Sequence, residues 1–430
     1  MSQSVAPRPA AILASIQLPE TPDEEHASSL AELGRLVETL GFEVVGTVSQ
    51  KRPSPVAATL IGPGKVDEIA AYTTGTAKQR ASHVIFDHEL TPTQLRNLTD
   101  ATGAEVLDRT GVIVEIFYRH AKTREAKLQV EIARLNYLAP RIRATGPGER
   151  QGGGVGAKGV GETEHELDRR RIRDRVAELT RELKLIHSDQ SHRRARRHDQ
   201  CLVALVGYTN AGKSSLMRAL TGSSVLVADK LFATLDTTVR ALHPETYPRI
   251  LVSDTVGFIK KLPHDLVASF RSTLEEAAQA SLLLYVVDAA DPTFRSQLEV
   301  TRQVLSEIDA ASIPSLVILN KWDKVDEVQR HLVRRDFPEA IAMSALEPSD
   351  VDGLKRQIRE FFEKNMEQAQ ILLPYELKGM VGEVRRHALV LDEKYDESGA
   401  RFTVKAYPEE LAKLRALIAG SSKKRTEESA

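Results

Sequence analysis

The stretch "CLVALVGYTNAGKSSLMRAL", residues 201 to 220, constrains this chain more than any other. An apolar run from Leu202 to Val206 leads directly into Gly207-x-x-x-x-Gly212-Lys213-Ser214, and a helical pattern follows. That order is a strand, a glycine-rich loop and a helix, the arrangement that cradles nucleotide phosphates. It commits the region to an α/β domain with a mainly parallel sheet and helices on both faces. Backbone N–H groups of Gly207, Tyr208, Thr209, Asn210, Ala211, Gly212, Lys213, Ser214 and Ser215 are expected to surround the phosphates at the helix N-terminus. Lys213 would reach the β and γ oxygens, and Ser214 would ligate Mg²⁺.

Two later motifs stand at strand ends, where this fold needs them. The run Ile250 to Ser253 delivers Asp254-Thr255-Val256-Gly257. Asp254 is expected to hold Mg²⁺ through water, and the Gly257 N–H to bond a γ-phosphate, so that local order depends on it. "SLVILNKWDK" then delivers Asn320-Lys321-Trp322-Asp323. A carboxylate at Asp323 suits the N1–H and N2–H₂ donors of guanine, which adenine lacks at those positions. Asn320 would brace the loop, and the Lys321 stem would cover the base. Ser344-Ala345-Leu346, after a further apolar run, offers backbone donors for guanine O6; the competing reading is a helix start capped by Ser344. Between loop and Asp254 lies "LFATLDTTVR", which should contribute a threonine closing over Mg²⁺ and γ-phosphate; Thr234, Thr237 and Thr238 qualify. Phe258, where many such hydrolases carry a water-orienting glutamine, has no group that orients water.

The remaining chain divides into three further regions. Residues 1–115 alternate short apolar and amphipathic runs, an α/β unit with a mainly parallel sheet; Leu30, Leu33, Val37 and Leu40 keep helical spacing, and Gly41 is placed to end that helix. Its Gly62 to Lys65, "GPGK", reads as a turn opening a helix rather than a phosphate contact. Residues 116–198 read as two long helices packed antiparallel. Leu128, Ile132 and Leu135 form one seam; Ile172, Val176, Leu179, Leu183 and Ile186 form the other. Between them the glycine loop 146–162 leaves Arg150 and Lys158 exposed, a linker or a tip able to approach RNA closely. Residues 199–365 form the nucleotide domain, and 366–430 a small α+β domain whose tail, "SSKKRTEESA", is expected to be disordered.

Charge is distributed unevenly. The whole chain is at −1, yet residues 141–198 carry 15 Lys/Arg against 9 Asp/Glu, an excess of +6 that fits a polyanionic partner. A single cysteine, Cys201, cannot close an intrachain disulfide, and no apolar stretch approaches the ~20 residues of a membrane span. The broken apolar run after Arg8 does not read as a secretory signal. A cytoplasmic monomer without membrane insertion is therefore expected.

Taken together the chain resembles the HflX family of ribosome-associated GTPases, within the Obg-like translation-factor group. "IGPGKVDEI", "FDHELTPTQLRNL", "VLDRTGVIVEIF", "GVGETEHELDRRRI", "GYTNAGKS", "FATLD", "DTVGFIKKLPHDLVASFRSTLEE" and "NKWD" carry the likeness across nearly its whole length. It departs at "GVGAKGVGE", where Ala157-Lys158 and Val160 replace a usual Thr-Arg and Pro, and at "LDTTVR". The resemblance implies that Thr234 is the switch I Mg²⁺ ligand and that Phe232, Ala233, Thr234, Leu235 and Asp236 lie along the nucleotide. It implies Lys213, Thr234 and Gly257 as the groups acting in GTP hydrolysis, and an apolar residue at 258. The implied partner is the large ribosomal subunit and its rRNA, engaged by the N-terminal domain, helical hairpin and glycine loop. In the GTP form the protein would dissociate stalled or idle ribosomes into subunits, with slow intrinsic hydrolysis stimulated by the ribosome. Two alternatives remain at this level: an assembly GTPase acting on immature large subunits, and a nucleotide-gated regulatory binding module.

Overall fold

Residues 8–74, 80–142, 164–195, 201–223, 232, 238–261 and 277–428 are described by a computed structural model of the chain. The first unit is a four-stranded sheet of β1 (Ala10–Gln17), β2 (Glu43–Lys51), β3 (His83–Phe86) and β4 (Glu105–Asp108), in the order β2-β1-β3-β4. All its pairings are parallel. Helices α1 (Asp23–Thr39), α2 (Pro63–Thr74), α3 (Pro92–Thr102) and α4 (Arg109–His120) connect or follow the strands. β1 is buried along its full length because helices cover both faces of a parallel sheet. Gly41, at φ +88, turns the chain out of α1 into β2 in a conformation that side chains disfavour. "GPGK" opens α2, and Lys65 pairs with Glu68 at 2.7 Å, so that segment is a helix start.

Next, α5 (Arg124–Leu138) packs on α6 (Glu164–Ala195). Arg124 pairs with Glu182 at 2.6 Å and Arg175 with Glu131 at 3.0 Å, contacts that run in opposite directions along the two helices. The hairpin is thus antiparallel, as its seams predict. Leu179 is the fully buried member of the second seam, with Ile172, Val176, Leu183 and Ile186 half-buried around it. Glycine loop 146–162 lies outside the described residues.

The nucleotide domain is a six-stranded sheet in the order β10-β9-β8-β5-β7-β6. It consists of β5 (Cys201–Val206), β6 (Thr238–Ala241), β7 (Ile250–Asp254), β8 (Leu282–Asp288), β9 (Ser315–Asn320) and β10 (Ile341–Ala342). Only the edge pairing of β6 with β7 is antiparallel. Helices α7 (Lys213–Thr221), α8 (Phe294–Glu307), α9 (Glu327–Asp336) and α10 (Pro348–Glu363) accompany it. One apolar cluster joins Val112, Ile116 and Phe117 of α4 to Tyr208, Phe232, Phe258 and Ile259, so the first unit and the nucleotide domain share a core.

At the end, β11 (Glu367–Leu373), β12 (Leu389–Asp396) and β13 (Gly399–Ala406) form an antiparallel sheet, with α11 (Val381–His387) and α12 (Pro408–Glu428). α12 continues through most of the segment expected to be a disordered tail, a correction to the composition-based reading: helix already nucleated at Pro408 propagates through residues that do not nucleate one alone. Among the described residues no helix is long and apolar enough to cross a membrane.

Candidate functional site

β5 and β7 are neighbours and β9 lies one strand further, beyond β8, and their parallel register brings the three motifs to one end of the sheet. The loop after β5 needs both its glycines. A Cβ on Gly212, at φ +97, would lie 2.2 Å from Asn320 Nδ2. One on Gly207 would lie 2.1 Å from the Val286 carbonyl oxygen. Past the turn, α7 begins, and the backbone N–H groups of Asn210, Gly212 and Lys213 donate to no carbonyl among the described residues. Such unpaired donors at a helix start are a ready anion site.

The Lys213 ammonium is fully buried and donates to the carbonyls of Gly207 (3.0 Å) and Tyr208 (2.8 Å). An ammonium has three donors, so one remains for a phosphate oxygen. Burial pulls its pKa down to about 8, against the pull of Asp254 upward, and an anion in the loop would raise it again. Ser214 Oγ donates to Asp254 Oδ2 at 2.8 Å. A hydroxyl and a carboxylate meeting beside this loop are hard oxygens of the kind Mg²⁺ takes. Thr209 Oγ1 is buried with no hydrogen-bond partner among the described residues.

Segment 254–261 lies against this loop. Thr209 N donates to the Phe258 carbonyl at 2.7 Å, and Phe258 N to the Gly207 carbonyl at 3.1 Å, a bridge between the loop and segment 254–261, the position of switch II in nucleotide switches. Gly257 is buried so closely that an added Cβ would be 2.9 Å from Thr209 Cγ2 and 3.0 Å from Lys213 Nζ. Its N–H donates to no protein group among the described residues. Gly257→Ala is therefore expected to weaken triphosphate binding about tenfold or more by displacing that N–H, while diphosphate affinity stays within about twofold. Titration calorimetry with both nucleotides checks this; equal losses for the two would contradict it.

The loop after β9 is braced from two sides. Asn320 Nδ2 donates to the Ala211 carbonyl (2.8 Å), and its Oδ1 accepts from Ala345 N (3.0 Å). Lys321, at φ +58, donates to the Asn210 carbonyl (2.8 Å) and Asp288 (2.7 Å), spanning the loop edge. The exposed Asp323 carboxylate has no protein partner among the described residues. Ser344, Ala345 and Leu346 arrive beside Asn320, but their N–H groups already reach Asp350, Asn320 and Ser344 Oγ respectively, so a contact to guanine O6 must share or exchange one of these bonds. Ser344 does not cap α10, whose N-cap is Glu347.

Other assigned residues sit differently. Thr255 Oγ1 donates to the Leu205 carbonyl at 2.7 Å, facing the sheet interior, and Val256 is buried in the shared core. Phe232 packs on Phe117, ring centroids 4.5 Å apart, because its apolar ring is better buried against α4 than left beside a polar nucleotide. Ala233, Thr234, Leu235 and Asp236 lie outside the described residues. Phe258 and Ile259 are buried against α4, which accounts for an apolar residue at 258 by packing.

Sequence reasoning missed a second group of residues. Arg109, buried, donates to Asp87 at 2.7 Å and is bound to Glu32; Lys261 Nζ donates to Asp87 at 2.7 Å. Asp87 and Arg109 immediately follow β3 and β4. The carboxyl ends of parallel strands are where sites collect, and that signal was available in the order of the elements.

Comparison with known proteins agrees with this geometry. Residues 27–118, 120–197 and 202–321 match the families described as "GTP-binding GTPase N-terminal", "GTP-binding GTPase Middle Region" and "50S ribosome-binding GTPase". GTPase HflX of Gluconacetobacter diazotrophicus is 56% identical, over 96% of this chain and 98% of that protein. GTPase HflX of Escherichia coli strain K12 is 40% identical, over 85% of each chain. That of Caldanaerobacter subterraneus is 39% identical, over 95% of this chain and 93% of its own. With identity of this extent over nearly the full length, the chain belongs to the HflX family of GTPases.

Proposed function

We propose that the chain binds GTP at the loop 207–214, hydrolyses it, and uses the difference between the two nucleotide states to act on the large ribosomal subunit. The observation that carries the nucleotide reading is that Lys213 Nζ, the Ser214–Asp254 pair and Gly257, whose N–H donates to no protein group among the described residues, lie together at the mouth of the glycine loop. Family membership supports hydrolysis, and the match to a family described as 50S ribosome-binding supports the partner. The basic hairpin is compatible with RNA, since its +6 excess over residues 141–198 attracts a phosphate backbone.

In the reaction, Lys213 would neutralise charge developing on the β and γ oxygens, and Gly257 would hold the γ-phosphate through its N–H. Ser214 would hold Mg²⁺, and Asp254 through water, with Thr234 as the further ligand that the resemblance implies; the ion would supply neutralisation of the charge on the phosphates. Phosphoryl transfer depends on positioning and electrostatics, so the lack of an evident general base is tolerable. With Phe258 buried, water must be positioned by backbone groups, a different side chain or the ribosome, which supports slow intrinsic turnover; stabilisation in trans is worth ~10³ to 10⁵ in rate.

Sucrose-gradient profiles of purified ribosomes test the action. Free subunits should appear with the protein and a non-hydrolysable GTP analogue. Shortening 152–161 should abolish that while guanine-nucleotide binding survives. Persistence of splitting after shortening would make the loop a linker, and co-migration solely with precursor particles would favour large-subunit assembly.

A further inference from the structure

Between switch II and the first unit lies a buried, charge-balanced cluster that no step of the proposed reaction uses. At its centre Arg109, with only 2% of its side chain exposed, holds two carboxylates, Asp87 and Glu32, themselves 1% and 8% exposed. Each carboxylate reaches the nucleotide domain by a different route. Glu32 faces the buried Tyr208 hydroxyl, whose pKa its charge helps to raise, and that hydroxyl accepts from Lys260 N at 2.6 Å; Tyr208 is the second residue of the phosphate loop, and its carbonyl holds Lys213. Asp87 accepts from Lys261 Nζ at 2.7 Å and from Ser29 Oγ at 2.7 Å. Lys261 stands four residues beyond Gly257, at φ +56, a conformation an unbranched side chain adopts only where its surroundings hold it there. A weaker outer contact, Lys260 with the exposed Glu25 at 3.0 Å, runs alongside.

Two cations and two anions thus link the sensor loop and the phosphate loop through one guanidinium. Buried ion pairs contribute little net stability, because desolvation offsets the attraction, yet removing one partner leaves an uncompensated charge. Such a cluster tolerates few arrangements. It fits a register device better than a source of stability.

We propose that Arg109, Asp87 and Lys261 are positioning residues for GTP hydrolysis: they fix segment 257–261 against the phosphate loop, so that the Gly257 N–H stands where the γ-phosphate is read. The inference rests on the GTPase reading above. It makes docking of the first unit a condition of efficient turnover, and gives that unit a mechanical part in the nucleotide cycle.

The test uses the full-length chain. Lys261 is half-exposed, so Lys261→Met removes the Asp87 contact without opening a core; Lys261→Arg keeps the charge; Asp87→Asn keeps the shape. For Lys261→Met, kcat for GTP should fall about fivefold or more and GTP affinity should weaken, with GDP affinity within about twofold of wild type, and Lys261→Arg should recover most of both losses. Asp87→Asn should follow Lys261→Met; if it fails to fold, Lys261→Met decides alone. Unchanged kcat in a folded Lys261→Met would overturn the proposal. So would a parallel loss of GDP affinity, which marks general damage to the pocket, or failure of the arginine variant to recover. A wild-type chain that does not hydrolyse GTP would instead remove the reading on which the proposal rests.

Discussion

Replacing Lys213 by alanine is expected to lower GTP turnover by ~10² to 10³, the loss typical when one preorganised donor to a transition-state oxyanion is removed. The reason lies in how the ammonium is held. It is buried, and two of its donors go to Gly207 and Tyr208 carbonyls, so it points its remaining donor without the entropy a surface lysine would lose. Alanine also leaves those two carbonyls without their shared donor. Lys213→Arg should not rescue, because a planar guanidinium cannot follow the path of an ammonium in a fully buried slot. Single-turnover hydrolysis of labelled GTP by the purified variants measures this, and turnover within about threefold of wild type would refute the placement of the phosphates.

Asp323→Asn carries the second large effect, and it should change which base is bound rather than whether one is. The exposed carboxylate offers two acceptor oxygens on a loop fixed by Asn320 and Lys321. Guanine presents two donors to it. An amide in its place sets a donor against a donor, and sites built around such hydrogen bonds reject the mismatched partner by ~10⁴. GTP affinity should therefore fall at least about a hundredfold. Xanthosine triphosphate, whose 2-oxo group accepts where guanine donates, should bind the variant better than GTP does. Competition of both nucleotides against a fluorescent analogue reads the exchange. If GTP affinity is unchanged, Asp323 does not read the base.

Much of this site was legible because each motif ends a strand. "LVALVG", "ILVSD" and "SLVILN" are apolar runs that only a buried parallel sheet accepts, and such a sheet aligns their carboxyl ends whatever lies between them. The antiparallel hairpin was equally visible in its seams. By contrast, the cluster around Arg109 joins residues 29, 32, 87, 208 and 261, and no local period connects them. An arginine at the start of a helix reads as solvated until the fold shows the carboxylates around it. Phe232, set along the nucleotide by the resemblance, has its ring drawn to Phe117 by tertiary packing that no local pattern announces. The tail after residue 420 was misread because composition says nothing about a helix already begun at Pro408.

The cluster also bears on Phe258. Its ring is buried with α4, while its backbone N–H and carbonyl both bond the phosphate loop, so the residue joins the nucleotide domain to the first unit at the point where other hydrolases place a water-orienting amide. Catalytic positioning and domain docking thereby share one segment.

The most direct test is phosphate release from GTP by the purified full-length chain, alone and with isolated large ribosomal subunits, with ATP and Lys213→Ala as controls. The account predicts slow release alone, an increase of at least about tenfold with the subunits, and little release in the Lys213→Ala variant. Release that is absent under both conditions, or that persists undiminished in Lys213→Ala, would contradict it.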